Sequence, residues 1–332
     1  MTRKLASKRV ISNIQPIPNA DAIEVATVDG WQVVIKKGAH AVSEEVLYLE
    51  VDTWVPEALA PFLSKGKSYN DVPGARLKTI KLRGQVSQGL LLKWDASHEF
   101  AWRCGKLDEY LKLQKWEPPA IGGPMEQKGT RPYFVPKTNQ ERVQNIVARH
   151  FYAHGTHKWA PPKDTFEVTI KLEGSSMSVY KNDGHTGVCS RNMDLKDVEG
   201  NKYWQAAKQQ KLIELCPEGY VLQGELMGPG IQGNIEKLIE PTFFLFDIYD
   251  VTKDEYLTPD KRRALATQLG IIHAPVLHER FTITQPDIKS VLELADGPSI
   301  NAKRREGLVF KSHDRGFTFK VISNAYLLKQ NG

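Results

Sequence analysis

The segment FEVTIKLEGSSMSVYKN, residues 166–182, alternates apolar and polar side chains up to Lys171, which is followed by Glu173 and Gly174. Alternation predicts a β-strand, in which side chains two positions apart share a face, so Lys171 and Glu173 are expected to point together. Gly174 allows a tight turn or the close approach of a ligand. This geometry suits a lysine nucleophile at the edge of a pocket. A surface ion pair beside an ordinary hairpin is the alternative.

Further strands and helices are predicted on either side of this segment. Four apolar runs predict strands: GYVLQGEL (219–226), TFFLFDIYDV (242–251), EGLVFKS (306–312) and FTFKVIS (317–323). Thr138 and Glu141 form a capping-box pattern before the helical stripe of RVQNIVARHF. Thr258, Pro259 and Gly270 mark the beginning and end of a second helix. The pattern predicts an α+β domain whose sheet is mainly antiparallel.

The first part of the chain has a different pattern of predicted secondary structure. Residues 8–96 contain short β segments separated by turns, and Asp29-Gly30 predicts a tight hairpin because both residues tolerate positive φ. A small barrel with the basic segment ARLKTIKLRG favours an OB-fold that binds nucleic acid. A β module that only contacts the other domain is the alternative. Residues 117–130, rich in proline and glycine, predict a linker between domains at 1–116 and 131–332.

Composition excludes several classes of protein. No apolar stretch in the 332 residues approaches the roughly 20 residues of a membrane-spanning helix, and the basic N-terminus lacks the apolar core of a secretory signal. Cys104, Cys189 and Cys216 are too few and too scattered for a disulfide framework or a zinc site. We therefore expect the cytoplasm or another reducing intracellular compartment.

The net charge of +6 is compatible with a polyanionic partner. Basic side chains are concentrated in residues 76–83 and 303–320. For either run alone, a solvated basic surface is the commoner explanation.

The order of short motifs resembles that of the covalent nucleotidyltransferases, which include ATP-dependent DNA ligases, RNA ligases and mRNA capping enzymes. Six segments follow in that order: KLEGSS (171–176), SRN (190–192), GELMGPGIQGN (224–234), FFLFD (243–247), EGLVFK (306–311) and FKVIS (319–323). One K-x-E-G match is weak evidence, whereas an ordered series is specific. The resemblance implies an α+β protein with an N-terminal OB-like β-barrel followed by an antiparallel-sheet nucleotidyltransferase domain, similar to ATP-grasp ligases, at 131–332.

Two features narrow the resemblance to the fifth family of RNA ligases, which seal nicked duplexes whose 3'-OH strand is RNA. DNA ligases and capping enzymes carry an OB domain after the last motif, but twelve residues follow Lys320, so none is expected there. ELMGPGIQGN resembles the RNA ligase form of its motif. The resemblance implies ATP, Mg²⁺ or Mn²⁺, and a nicked duplex with a 5'-phosphate strand as partner. It implies no membrane and no obligate protein partner.

In this resemblance Lys171 is the nucleophile that forms a lysyl-AMP. An amine attacks phosphorus only when unprotonated, so the site must lower a lysine pKa that is ordinarily about 10.4. We expect a bound divalent metal and the basic residues of the late motifs to lower it.

The resemblance also assigns the acidic residues and one aromatic. Glu173, Glu225 and Glu306 match positions that bind the metal, mostly through water, and contact the nucleotide. The family often has aspartate at the position of Glu173. Arg191 is expected to contact the nucleotide or the 5'-phosphate end, and Phe246 to stack on adenine.

Several lysines and arginines are further candidates for binding the phosphates of the nucleotide. Lys320 is expected to bind the α-phosphate, and Ile322 stands where the family often has a second lysine. Lys311 is a candidate to compensate, and Arg142 or Arg149 to bind the outer phosphates.

Two other functions fit parts of the sequence. A capping-type guanylyltransferase would use the same catalytic groups with GTP. A non-catalytic RNA-binding protein with a vestigial nucleotide pocket would be expected to have lost some of the charges that this chain retains at Lys171, Glu225, Glu306 and Lys320.

Overall fold

The computed structural model describes residues 4–117, 126–153, 156, 158–314 and 316–330. Residues 118–125 of the predicted linker and Arg315 of the second basic run lie outside the described residues. The chain divides into two compact units. The first contains the described residues within 1–119, 144–158 and 327–332, and the second those within 120–143 and 159–326.

Short strands make up most of the first unit. They are β1 (Ala6–Val10), β2 (Asn13–Pro16), β3 (Ile23–Val28), β4 (Trp31–Lys36), β5 (Glu45–Leu49), β6 (Thr53–Pro56), β7 (Lys67–Tyr69), β8 (Val72–Arg76), β9 (Thr79–Leu82), β10 (Gln85–Gln88), β11 (Leu90–Lys93) and β12 (Gln114–Lys115). They form sheets in the orders β1-β5-β11, β2-β3-β4, β9-β10 and β12-β6-β8-β7. The unit also contains two short helices, α1 (His98–Arg103) and α2 (Leu107–Tyr110), and a 3₁₀ turn at Pro61–Leu63.

The predicted hairpin at Asp29-Gly30 is confirmed. The two residues have φ of 45° and 86° and join β3 to β4, which pair along their full lengths. Trp31 and Val33 on β4 are buried in the apolar core of the unit. The local turn chemistry and the alternation of the strands thus agree, as is typical of a hairpin packed on a core.

Residues 144–158 group with the first unit, although their sequence position follows the predicted linker. Asn145 explains part of this. Its side-chain oxygen accepts hydrogen bonds from Trp31 Nε1 at 3.2 Å and from Arg9 at 3.0 Å, and its amide donates to Glu50 at 2.8 Å. The predicted range 131–332 therefore differs from the second compact unit in this segment.

Two larger sheets form the second unit. Its strands are β13 (Gln127–Thr130), β14 (Glu141–Arg142), β15 (Phe166–Lys171), β16 (Ser175–Asn182), β17 (His185–Cys189), β18 (Met193–Leu195), β19 (Tyr220–Met227), β20 (Thr242–Asp250), β21 (Glu255–Tyr256), β22 (Val276–Phe281), β23 (Gly307–Ser312) and β24 (Thr318–Ile322). One sheet has the order β13-β18-β17-β16-β19-β20-β21 and the other β14-β24-β23-β15-β22. Among the described strands of these sheets, only β14 and β24 pair in parallel, so the predicted antiparallel α+β architecture is confirmed.

Helices lie between the strands. The remaining helices of the chain are α3 (Val143–His150), α4 (Lys202–Gln209), α5 (Leu212–Leu215), α6 (Pro259–Leu269), α7 (Ile288–Glu293) and α8 (Asn324–Gln330). Side chains of α4, α5 and α6 pack on the seven-stranded sheet through a core that includes Ala206, Leu212, Phe243, Leu245 and Ala266. Across the described residues, no helix has both the length and the apolar character needed to cross a membrane.

The predicted limits of α6 are confirmed, but the predicted capping box is wrong. Pro259 opens α6, and Gly270 ends it with φ of 69°. By contrast, Glu141 lies in β14, and the helix that follows begins at Val143. The Thr138 hydroxyl lies 2.5 Å from Ser176 Oγ, so its hydrogen bond is made to a neighbouring strand rather than to a helix terminus.

Strand β15, the first part of the segment 166–182, lies inside the five-stranded sheet. It pairs with β22 on one side and β23 on the other. Its polar positions are buried together with its apolar ones: Glu167 is fully buried and forms an ion pair with the equally buried Arg262. The strand ends at Lys171, where burial becomes partial.

Candidate active site

Lys171 lies at the end of β15 and forms an ion pair with Glu306, the residue before β23. Lys171 Nζ donates a hydrogen bond to Glu306 Oε2 at 2.7 Å. The residue directly opposite Lys171 is Gly307. A Cβ at Gly307 would lie 2.1 Å from the carbonyl oxygen of Val321, so only glycine permits this approach of the strands. The glycine that follows the glutamate therefore fixes the corner from which Glu306 reaches the lysine.

Glu225 is the second carboxylate near this lysine. It lies on β19, directly opposite Ser176 on β16. Burial raises its pKa to about 7, and repulsion by Glu306 acts in the same direction, whereas Lys171 and the Gly174 N–H offset part of the shift. Two carboxylates thus share one lysine, and this corner of the unit is short of positive charge.

The same charges determine the protonation of Lys171. Burial alone would lower its pKa, but Glu306 and Glu225 outweigh burial and raise the pKa above its ordinary value. Arg142 acts in the opposite direction but does not prevail. The expected lowering concerns the site with a bound divalent metal and stays a prediction; without the metal the two carboxylates prevail over burial and Arg142. The amine is held as an ammonium ion until further positive charge enters the site.

Glu173 is close in sequence but does not continue the strand face of Lys171. Strand pairing stops at Lys171, and Glu173 lies in the bend before β16. Glu173 is buried, with 7% of its surface exposed. A Cβ at Gly233 would lie 3.3 Å from its Oε1, which places the carboxylate against the GPGIQGN loop. The predicted strand does not reach Glu173, because β15 ends at Lys171 and the chain bends at Glu173 and Gly174. A Cβ at Gly174 would lie 2.3 Å from the carbonyl oxygen of Leu226.

Arg191 lies in the turn between β17 and β18. Its guanidinium donates to Asn139 Oδ1 at 2.5 Å, and its charge lowers the pKa of Glu225. The backbone of this turn is held by Arg131, which donates to the carbonyl oxygens of Arg191 at 2.8 Å and Ser190 at 3.2 Å. Arg131 lies outside all of the sequence motifs, and its only sequence signal is its position after the predicted linker.

Phe246 occupies a β-bulge. On β19, Gln223 pairs with Asp247, and the next residue pairs with Leu245, so Phe246 is the extra residue on β20. The half-buried ring packs against a cluster that includes Ile170, Leu172, Met227 and Phe244. A bulge redirects the side chains that follow it. Phe246 therefore adjoins the residues that flank Lys171.

Lys311 and Asp247 form a buried ion pair behind this bulge. Lys311 Nζ lies 2.7 Å from Asp247 Oδ1 and donates to the carbonyl oxygen of Phe246 at 2.5 Å. Burial lowers the pKa of Lys311 to about 8 despite the attraction of Asp247. The pair continues into the fully buried Arg262, whose guanidinium lies 3.5 Å from Asp247. Sequence reasoning missed Asp247 and Arg262, because a single polar residue within an apolar strand or helix does not reveal its partner.

The register of the five-stranded sheet places two cations, Lys320 and Arg142, on the face of Lys171. Lys320 pairs with Val309, and Val309 pairs with Thr169, two residues before Lys171. Arg142 pairs with Lys320 on its other side. Residues directly opposite one another share a face of a sheet. Lys320 and Arg142 therefore lie on the same sheet face as the lysine, whereas Arg149 is exposed and belongs to the first unit.

A metal ion would find carboxylates here but not a complete set of ligands. In the part of the chain that the structure describes, no three acidic, histidine or cysteine side chains are close enough to hold a metal ion directly. Glu225 and Glu306 both lie near the one ammonium group of Lys171, and a pair of carboxylates fits a hard divalent cation that keeps most of its water. The fit rests on the raised pKa of Glu225 and on its proximity to Glu306.

Two family models match separate parts of the chain. The model of the RNA ligase family matches residues 164–322, and a model of an OB-fold domain matches residues 5–94. The OB-fold predicted for the N-terminal strands is confirmed. No curated protein sequence matches the chain.

Solved structures extend the match to almost the full length. An RNA ligase of Naegleria gruberi with PPi aligns with a TM-score of 0.88 at 42% identity, covering 99% of each chain. A substituted form of that ligase with ATP and Mn aligns with a TM-score of 0.87 at 42% identity, covering 98% of each chain. Another, with AMP and Mn, gives 0.85 at 41% identity and again covers 98% of each.

Proposed function

The chain belongs to the RNA ligase family, and we propose that it joins RNA ends through a covalent lysyl-AMP on Lys171. It is an ATP-dependent RNA ligase and acts on nucleic acid. The observation that carries the proposed intermediate is the contact of 2.7 Å between Lys171 Nζ and Glu306 Oε2, beside Glu225. A lysine in this position has a proton acceptor in contact, and a cation bound nearby would favour the loss of its proton.

In the first step, Lys171 Nζ forms a bond to the α-phosphorus of ATP. The bond from that phosphorus to the oxygen bridging to the β-phosphate breaks, and pyrophosphate leaves with the electron pair. The ammonium must first lose a proton, for which Glu306 Oε2 is the acceptor in contact. The solved ligases with ATP, with AMP and with PPi contain the reactant and the products expected of such a transfer.

Other residues bind and orient the nucleotide in this proposal. Lys320 and Arg142, on the sheet face of Lys171, supply positive charge for the phosphates. Phe246 supports the adenine by stacking. Arg191 contacts the nucleotide or the incoming 5'-phosphate. Lys311 is buried and paired with Asp247, so it does not take over the role of the second lysine of the family pattern. It supports the strand that carries Phe246.

A divalent cation fits beside the carboxylates. Glu225 and Glu306, with Glu173 on the adjoining loop, would hold Mg²⁺ or Mn²⁺ largely through its water molecules. When bound, the cation supplies positive charge that favours the neutral form of Lys171 and stabilises charge developing on the phosphates. The solved ligases with Mn support this assignment.

In the second and third steps the adenylate is used to join two ends. An oxygen of the 5'-phosphate attacks the adenylate phosphorus, the phosphorus–nitrogen bond breaks, and Lys171 regains its amine. The 3'-OH then attacks the phosphorus of the 5'-phosphate, loses its proton, and AMP leaves. We propose a nicked duplex with an RNA 3'-OH strand as the substrate, which the N-terminal OB-fold domain helps to hold.

The test is to incubate purified protein with Mg²⁺ and α-labelled ATP or GTP, in parallel with Lys171→Met, and to determine the mass of the denatured protein. Covalent AMP on the natural protein and none on the variant is the expected result. Covalent GMP would favour capping chemistry. Nucleotide-stripped protein that binds RNA tightly but forms no adduct would overturn the catalytic proposal.

A further inference from the structure

Tyr133 presents its ring almost entirely to solvent. Its side chain is 98% exposed, the highest value among the large hydrophobic side chains described as exposed. It belongs to the second unit, in the segment that leads from the predicted linker to β14. A single exposed apolar side chain is ordinary for a protein surface. The surroundings of Tyr133 are what set it apart.

The turn that carries Tyr133 is rigidly held. Val135 N donates to the carbonyl oxygen of Pro132 at 3.0 Å, which closes the turn around the tyrosine. The neighbouring Phe134 packs edge-on against Tyr180 with ring centroids 5.5 Å apart. Arg131 donates to the carbonyl oxygen of Pro136 at 2.5 Å, so one guanidinium spans the turn from the residue before it to the residue after it. A ring displayed on such a support loses little conformational freedom when it binds.

The same contacts attach this turn to the active site. Arg131 also donates to the carbonyl oxygens of Ser190 and Arg191, the residue proposed to contact the nucleotide or the 5'-phosphate end. The segment then passes Asn139, which accepts a hydrogen bond from the Arg191 guanidinium. Tyr133 therefore lies in a turn that Arg131 joins to the backbone of Arg191, the residue expected to meet the nucleic-acid end.

The charge of the turn suits a polyanion. Lys137 follows the turn and is exposed. Lys128 precedes it, with 59% of its side chain exposed and its Nζ 3.4 Å from Asp194. An exposed aromatic ring between basic side chains is the combination that binds single-stranded or frayed nucleic acid without regard to sequence, because every base offers a flat face.

From these observations we propose that Tyr133 stacks on a base of the nucleic-acid substrate close to the 5'-phosphate end that receives AMP. The proposal rests on the proposed ligase function and adds a contact to the substrate. The contact belongs to the nucleic-acid steps alone, so the formation of lysyl-AMP from ATP does not require it.

The experiment separates the two stages. Natural protein and the variants Tyr133→Ala, Tyr133→Leu and Tyr133→Trp are adenylylated with ATP, freed of nucleotide, and mixed with a nicked duplex that has an RNA 3'-OH and a 5'-phosphate. Sealing is followed in a single turnover over a range of duplex concentrations. Phe100→Ala serves as the matched control, because Phe100 is an aromatic residue 80% exposed in a different unit.

Loss of a stacked base predicts that Tyr133→Ala and Tyr133→Leu need roughly 5- to 150-fold more duplex for half-maximal sealing. We expect Tyr133→Trp to seal like the natural protein, and all variants to form lysyl-AMP at the natural rate. Natural sealing by Tyr133→Ala, or equal sealing by Tyr133→Leu and Tyr133→Trp, would overturn stacking. Parallel losses of lysyl-AMP formation and sealing in Tyr133→Ala would also overturn it, because the turn would then act on the site itself. Absence of lysyl-AMP in the natural protein would instead refute the proposed function.

Discussion

Lys171 and Glu306 form an ion pair at 2.7 Å although 135 residues separate them in the sequence. Antiparallel pairing of β15 with β23 brings them together, and Gly307 leaves the space that the corner requires. The pair stabilises the charged form of a lysine whose proposed role requires the neutral form. The positive charge of a bound divalent cation would favour the neutral form.

Replacement of Glu306 tests its proposed role as the proton acceptor for Lys171. Glu306→Gln removes both the proton acceptor and the charge that raises the pKa of Lys171. We expect lysyl-AMP formation to slow by about 100-fold or more, since general-base contributions are typically of this size. The measurement is the rate of adduct formation at saturating ATP and Mn²⁺. Glu279→Gln is the control, because Glu279 forms an ion pair with Arg263 but has a side chain 71% exposed; a natural rate in Glu306→Gln would refute the role.

Glu225 makes stability depend on pH in the opposite direction to an ordinary carboxylate. Its folded pKa of about 7 exceeds the unfolded value of 4.5, so the native state binds the proton more tightly. Its contribution to the free energy of unfolding therefore falls as the pH rises through the window between these two values. Glu225→Gln does not titrate. We expect the melting temperature of this variant to exceed that of the natural protein by a few degrees at pH 8 without divalent cations, and the gap to close near pH 4.5.

A divalent cation adds a second arm to that experiment. The cation binds where carboxylate charge is in excess, so Mn²⁺ should raise the melting temperature of the natural protein more than that of Glu225→Gln. Equal shifts in the two proteins would show that the cation binds elsewhere. A pH-independent gap between their melting temperatures would show that Glu225 is not the titrating group.

Much of this site follows from local patterns. Lys171, Glu225 and Glu306 belong to segments with strong strand patterns, and the strands that carry them lie in the two sheets of one unit. The structure brings these three side chains close together, and their roles in the reaction stay predictions. The end of β15 at Lys171 was not predicted, because alternation alone does not say where pairing stops.

Contacts between distant segments could not be predicted from local patterns. The buried partners Glu167 and Arg262 are 95 residues apart, and neither has a local signal that requires the other. Thr138 shows the converse. It has a strong local capping pattern, but its hydroxyl contacts Ser176, so a tertiary hydrogen bond prevails over the local one.

Gly174→Ala tests the close approach behind the lysine. The new Cβ would lie 2.3 Å from the carbonyl oxygen of Leu226 and 2.9 Å from Glu225 Cγ, so backbone atoms must move. We expect a loss of about 1–3 kcal/mol in the free energy of unfolding and a strong loss of lysyl-AMP formation. Gly129→Ala is the matched control, because its Cβ would meet nothing within 4 Å. Natural stability and adduct formation in Gly174→Ala would show that the corner tolerates a side chain.

Lys311→Met tests the support beneath Phe246. Asp247 loses its partner at 2.7 Å and the Phe246 carbonyl its donor, and a buried charge left unpaired typically costs about 3–5 kcal/mol. Arg262 near Asp247 reduces this cost, so we expect a loss of about 2–3 kcal/mol in urea unfolding.

The pH dependence identifies the lysine itself. The folded pKa of Lys311 is about 8 and the unfolded value 10.5, so the unfolded state binds more protons in this window and the lysine's contribution to stability rises with pH. The stability difference between the natural protein and Lys311→Met should therefore widen from pH 8 to pH 10. Lys253→Met, which removes a lysine 62% exposed from its pair with Asp250, should change stability much less than Lys311→Met does. The KM for ATP is then measured for Lys311→Met, Phe246→Ala and the double variant. If Lys311→Met raises the KM and the effects of the two substitutions on it are non-additive, Lys311 acts through Phe246. Additive effects on the KM would show that the buried ion pair does not act on nucleotide binding through Phe246.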